Sequence, residues 1–368
     1  MLPYFLVFFI VMIITIGADK IYEKNKKISY VLSIICISII SIFAGLRAYS
    51  VGIDISIYGL KRFEQVRLYS NMIDYISRAN YGTEYFYHGL NYVVYKIGGT
   101  FKLLLFVLQV IPVSITYIIA YRNRKKGTFS LYILGYLFLW FNSSLNILRQ
   151  TPAIFIMLYA FKYIEEKKYF KYILAIIIAS LFHTSAFFCC IIPLIKHLSE
   201  KKNKYIYLGL LLMIIFMIYL LFDNFSSLFA KLPLFSEYTN YLDEGKKTNF
   251  RLYYASIKFV MLIVISLFFR KIQNKDLNNL LIFLFFLDLA FYCSSAVVKY
   301  GYIISYYFLP YWILIIPKID YELKNAKVKS TYRLIIILLL IVYWFVRYVI
   351  AGYDGTIPYK LEYGKFFR

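Results

Sequence analysis

Apolar runs about as long as a bilayer is thick recur along the whole chain, separated by short connections rich in lysine and arginine. A helix needs roughly 20 apolar residues to cross the hydrocarbon core. Ten segments approach that length: 3–18, 29–46, 103–121, 128–141, 150–164, 205–222, 253–269, 277–292, 301–317 and 331–350. Only 17% of the residues are charged and 61% are apolar, whereas a soluble domain is about a quarter charged. One buried core cannot absorb so much apolar sequence. The chain is therefore expected to be an all-α polytopic membrane protein. A soluble enzyme, a disordered tail and a secreted disulfide scaffold are excluded. Met1 to Gly17 turns apolar almost at once with no basic stretch before it, which points to a retained first helix rather than a cleaved signal.

The basic residues set the topology. A net charge of +23 in a soluble protein suggests nucleic acid. Here the charge lies in short runs between apolar segments, the usual membrane pattern, so no nucleic-acid partner is expected. The connections 19–28, 122–127, 162–171, 196–204, 270–276 and 318–333 hold 24 of the 42 lysines and arginines. Short cytoplasmic connections are enriched in both, so all six should share the cytoplasmic side. Connections 162–171 and 196–204 can do so only if 172–195 enters the membrane and returns, turning near Phe182-His183-Thr184. Likewise 84–98 must not cross; it is expected as a helix along the outer face. Both termini then lie outside, with outer connections 47–83 and 223–252 and the tail 351–368. The whole chain, 1–368, reads as a single integral membrane domain. Re-entrant backbone is tolerated only where it is buried in protein or lines a wet cavity, so the hairpin itself suggests a site.

Three polar clusters stand out on the expected outer side. The first is Gly45-Leu-Arg47-Ala-Tyr-Ser-Val-Gly52-Ile-Asp54-Ile-Ser-Ile-Tyr58. Arg47 offers a planar fork suited to phosphate, and Asp54 can orient it or meet a sugar hydroxyl; alternatively Arg47 snorkels at a helix end. The second is Asn142-Ser-Ser-Leu-Asn146-Ile-Leu-Arg149-Gln150. An outer arginine is not explained by the charge bias, and Arg149 and Gln150 open a helix whose free N–H groups favour an anion. The third is His183-Thr184-Ser185 at the turn of the hairpin, where a histidine can exchange a proton or serve as a packed, hydrogen-bonded side chain. Glu84 opens the 84–98 stretch, and Lys299 precedes a tyrosine-rich segment. Asp288 is intramembrane and is a proton site or a partner of Lys258 or Arg347. The four cysteines, Cys36, Cys189, Cys190 and Cys293, lack metal or redox spacing and read as packing. No phosphate-binding loop, dinucleotide fingerprint or zinc motif is present in the sequence, so no cofactor is expected.

Together these clusters resemble the EpsG family of bacterial membrane proteins, relatives of the Wzy polymerases of capsule, O-antigen and exopolysaccharide pathways. The matching pieces are Arg47 with Val51-Gly52-Ile-Asp54 and Tyr58, then Glu84, then Asn146-Ile-Leu-Arg149-Gln150 with Ala153. Ala179-Ser-Leu-Phe-His183-Thr-Ser185-Ala follows, and Ile357-Pro358-Tyr359 ends the series. Lys299 departs from the arginine expected before the tyrosine-rich helix. The resemblance implies a glycosyltransferase that joins polyprenyl-diphosphate-linked oligosaccharide units on the outer face of the plasma membrane, without metal or nucleotide. It implies that Arg47 and Arg149 hold the diphosphate and that His183 accepts a proton or orients a hydroxyl. Asp54, Glu84, Asn146, Gln150 and Lys299 would contact substrate or position the arginines. Membrane lipid and other polysaccharide export proteins are the further partners it suggests. Two other readings stay open: a transporter or flippase of lipid-linked sugars, and a non-catalytic component of an export complex.

Overall fold

The computed structural model describes residues 1–78, 84–224, 251–269, 275–296 and 301–368. All ten expected segments are helical. Among the described residues, six helices are long and apolar enough to cross a membrane: Leu2–Ile21, Lys26–Gly45, Phe101–Arg122, Leu252–Phe269, Gly301–Glu322 and Ala326–Ile350. Their outward faces carry exposed apolar side chains such as Leu6, Ile13, Ile34, Ile263 and Leu338. Water would penalise such a surface, whereas lipid matches it. The protein is thus an all-α polytopic membrane protein.

Several polar side chains inside the bundle pair with one another, as a medium that cannot hydrogen-bond favours. Thr15 Oγ1 lies 2.7 Å from the Tyr117 hydroxyl, and the Tyr121 hydroxyl meets Ser29 and Ser33 at 2.8 and 2.7 Å. These contacts fasten the two N-terminal helices to Phe101–Arg122. Intramembrane Asp288 pairs with Lys258 at 2.7 Å and accepts from Ser305 at 2.6 Å and Trp312 at 3.3 Å.

The basic connections gather at one end. Arg124 reaches Asp19 at 2.6 Å and Arg122 reaches Glu165 at 3.3 Å. Thr128 N–H donates to the Pro317 carbonyl at 3.0 Å. Lys318 lies in the field of Glu165, Lys126 and Lys196 together. Residues 270–274 fall outside the described residues. The hairpin forms as the charge pattern requires. Helix Tyr169–Ser180 stops before His183, a 3₁₀ turn Thr184–Cys190 runs back along it, and helix Ile191–Ser199 returns to the basic end. The Tyr172 hydroxyl donates to the Cys189 carbonyl at 3.1 Å, tying the two limbs together.

The opposite end is closed by the C-terminal tail. Ala48 N–H donates to the Lys360 carbonyl at 2.8 Å, Gly52 N–H to Gly355 at 3.0 Å and Glu362 N–H to Leu46 at 3.0 Å. Thr100 N–H donates to Phe366 at 2.8 Å and Arg368 N–H to Gly98 at 2.8 Å. Near the N-terminus the Tyr4 hydroxyl donates to the Thr356 carbonyl at 2.5 Å. Both chain ends therefore sit at the end away from the basic connections. Gly52 is required there: its φ is +103°, and a Cβ would stand 2.8 Å from the Leu145 carbonyl. Helix Tyr85–Lys96 is short and packs under Met72–Arg78, joined to the hairpin turn by Phe86 N–H donating to the Leu181 carbonyl at 2.9 Å.

Candidate functional site

At this tail-capped end lies a cavity of about 550 Å³ lined by charged, polar and aromatic side chains. Sequence elements far apart converge on it. The connection after the second helix gives Asp54 and Tyr58, and the start of helix Tyr85–Lys96 gives Glu84. The break before helix Gln150–Glu165 gives Asn146, Arg149 and Gln150, and the hairpin turn gives His183 and Thr184. Of the eight residues singled out in the sequence, six line this one space.

Arg47 does not. It is 1% exposed, and its guanidinium donates to the carbonyls of Ala44, of Val51 at 3.3 Å and of Leu145 at 2.6 Å. The reason is local. Helix Lys26–Gly45 ends there with unsatisfied carbonyls, and the chain turns sharply at Gly52; one buried guanidinium satisfies three of the acceptors. In this arrangement the Arg47 fork is engaged by backbone and does not line the cavity. Lys299 lies outside the described residues, as do residues 225–250 of the outer connection 223–252.

One wall of the cavity is an ion cluster. Arg149 Nη1 donates to Glu84 Oε2 at 2.5 Å, and Arg62 Nη1 stands 4.0 Å from the same oxygen. The Tyr58 ring lies beneath both guanidinium groups, 4.3 Å from Arg149 and 4.9 Å from Arg62. Burial raises the Glu84 carboxyl, while Arg149 pulls the other way. His183 Nε2 faces Glu84 Oε1 at 3.6 Å. The other ring nitrogen is engaged: the Ser185 backbone N–H donates to Nδ1 at 3.3 Å, and Ser185 Oγ is 2.6 Å away. This follows from the fold, because His183 is extended and caps the Thr184–Cys190 turn. With Nδ1 accepting, the neutral ring carries its proton on Nε2 and presents a donor to the cavity. Gln150 Nε2 is tethered to the Ile303 carbonyl at 3.0 Å.

The other wall runs through Asn146. Its Oδ1 accepts from the Asp54 backbone N–H at 2.8 Å, and its Nδ2 donates to Asp354 Oδ1 at 3.1 Å. Asp354 Oδ2 accepts from Ser143 at 2.7 Å and from Arg347 at 3.4 Å. Arg347 is enclosed by the rings of Tyr254, Tyr306, Tyr348 and Tyr353 at 5.1 to 5.3 Å. Asp54 Oδ2 accepts from the Tyr58 hydroxyl at 2.6 Å. Burial pushes the Asp54 carboxyl up to about 6.

Sequence reasoning missed Asp354 and Arg251, both in the lining. Asp354 sits between Gly352 and Gly355, all three with positive φ, in a turn that aims its carboxylate inward; a Gly-Tyr-Asp-Gly turn after the last span was the available signal. Arg251 lies at the non-basic end of its helix, the same anomaly that marked Arg149. Its backbone N–H donates to the Tyr292 hydroxyl at 2.9 Å. Its side chain makes no ion pair among the described residues, unlike Arg149.

The chain is thus a polytopic helical protein with a charged, tyrosine-lined cavity at the end away from its basic connections. The profile of the EpsG family matches residues 30–361, and the chain belongs to that family of polysaccharide-biosynthesis membrane proteins. Comparisons with curated proteins and with solved structures gave no match.

Proposed function

We propose that the chain polymerises oligosaccharide repeat units carried on a polyprenyl diphosphate, at the outer face of a bacterial plasma membrane. The observation that carries this reading is the convergence of Arg149, Gln150, Glu84 and His183 on one cavity opposite the basic connections. The positive-inside bias puts that cavity outside the cell, with both termini. A spanning bundle suits a lipid-linked substrate, whose isoprenoid tail can stay in the bilayer while its head enters the cavity.

The leaving group is a lipid diphosphate, so cations aimed at its oxygens lower the barrier. Arg149 and Arg251 are the cavity cations suited to this. Glu84 holds the Arg149 fork in place. His183 donates from Nε2 to a phosphate oxygen or orients the attacking hydroxyl. Gln150 and Asn146 face sugar hydroxyls, and the rings of Tyr58, Tyr302, Tyr306 and Tyr353 offer faces for stacking on sugar. No nucleotide is needed, because the donor sugar is already activated as a diphosphate. Other polysaccharide export proteins would receive the product.

The test is chain extension in liposomes holding only purified protein and lipid-linked units, with no energy source. Longer lipid-linked chains support the polymerase. Lipid moved between leaflets at unchanged chain length would mark a transporter instead.

A further inference from the structure

We infer that Asp54 is the catalytic residue that takes the proton from the attacking sugar hydroxyl. This rests on the polymerase reading and deepens it. In that reaction the acceptor hydroxyl oxygen bonds to the anomeric carbon of the donor sugar. The bond from that carbon to the diphosphate oxygen breaks, and the electron pair leaves with the lipid diphosphate. The hydroxyl proton must go to a base within hydrogen-bond reach of the acceptor.

Four groups in the cavity wall are chemically able to accept it, and three are committed. His183 has Nδ1 occupied by Ser185 and turns a protonated Nε2 to the cavity. Glu84 is 2% exposed, with one oxygen against Arg149 and the other against His183. Protonating it would strip Arg149 of its partner. Asp354 gives both oxygens to Asn146, Ser143 and Arg347. Asp54 is different. Its backbone is pinned by Asn146 and its Oδ2 by the Tyr58 hydroxyl, so the carboxylate is oriented. Its Oδ1 accepts no hydrogen bond among the described residues, and the side chain lines the cavity. An oriented carboxylate with one open oxygen on the substrate space is what a general base requires.

The Asp54 titration fits the task. Burial is the main cause of its raised pKa. Tyr58, Arg149 and Arg62 oppose it, and Asp354 reinforces it; these charged and titratable groups act on Asp54 most strongly. Its carboxylate is basic enough to accept a proton near neutral pH and is lost as pH falls through about 6.

The experiment uses full-length protein in liposomes and lipid-linked repeat units extracted from cells that lack it. Wild type, Asp54→Asn and Asp54→Glu are compared for kcat, KM, pH profile and membrane level. Asp54→Asn should lower kcat about 10²- to 10⁴-fold with KM within a few-fold. The wild-type rate should fall below about pH 6, and the residual Asp54→Asn rate should be flat there. Asp54→Glu, which keeps a base displaced by one methylene, should recover part of kcat and its acid limb. If Asp54→Asn folds and keeps kcat and the acid limb, the assignment is overturned while the polymerase reading stands. A rise in KM alone would make Asp54 a binding group and also overturn it. If wild type itself extends no chain, the polymerase reading fails and takes the assignment with it.

Discussion

Glu84 Oε2 and Arg149 Nη1 meet at 2.5 Å across the mouth of two unrelated segments, one opening helix Tyr85–Lys96 and the other capping Gln150–Glu165. The pair is nearly dry, with side chains 2% and 14% exposed. Removing one member of such a pair leaves an uncompensated charge and costs about 3–5 kcal/mol. Glu84→Ala is therefore expected to lower the amount of protein in the membrane. Arg149→Lys keeps the charge and loses the planar fork. Its membrane level should stay near wild type while chain extension slows about 10²-fold, the usual loss for one donor to a developing anion. Quantitative blotting beside the extension assay separates the two. Normal extension by Arg149→Lys would remove the bidentate phosphate contact.

Arg47 gives the opposite pattern. Its guanidinium serves the Ala44, Val51 and Leu145 carbonyls and does not line the cavity that holds Arg149. A hydrogen bond from a charged donor is worth about 1.5–3 kcal/mol, and lysine cannot reach three carbonyls from one point charge. Arg47→Lys should reduce membrane level and leave the rate per folded molecule unchanged. A normal level with a lost rate would return Arg47 to the site.

The contrast between these two arginines shows what the sequence could and could not reveal. Hydropathy and charge are summed over whole segments, so the ten helices and the folded-back 172–195 stretch were legible. Arg149, Gln150, Glu84, Asp54 and His183 were legible because a polar side chain at the non-basic end of an apolar segment needs a reason. Arg47 fits the same description, yet a buried guanidinium feeding backbone and one facing a ligand leave the same one-dimensional trace. Asp354 escaped because its neighbours in space, Asn146, Ser143 and Arg347, are fixed only once the tail docks on the outer connection through Gly52 and Ala48.

Topology is testable by cysteine labelling of intact cells. Native Cys190 and Cys293 are exposed and are replaced first. Membrane-impermeant thiol reagent should reach cysteine at positions 61, 240 and 360, and should not reach it at 125, 200 or 324. Reaction of position 200 from outside would mean that 172–195 crosses, against the return limb fastened by Tyr172 to Cys189.

The last expectation separates three roles for His183. As a donor through Nε2, with Nδ1 held by Ser185, it should be replaceable in part by glutamine, whose amide also donates. His183→Ala should then lose about 10²-fold in rate, and His183→Gln should recover a measurable share. If His183 were the proton acceptor, glutamine would recover nothing, because an amide takes no proton near neutral pH. If it only capped the Thr184–Cys190 turn, both variants would lose protein and keep their rate per molecule. Ser185→Ala adds an independent reading. Removing the hydroxyl 2.6 Å from Nδ1 leaves the ring held by the Ser185 backbone N–H alone and less firmly oriented, so the donor role predicts a rate loss at normal protein level, smaller than that of His183→Ala. Equal rates for wild type and Ser185→Ala, with no recovery of rate by His183→Gln, would rule out the Nε2 donor.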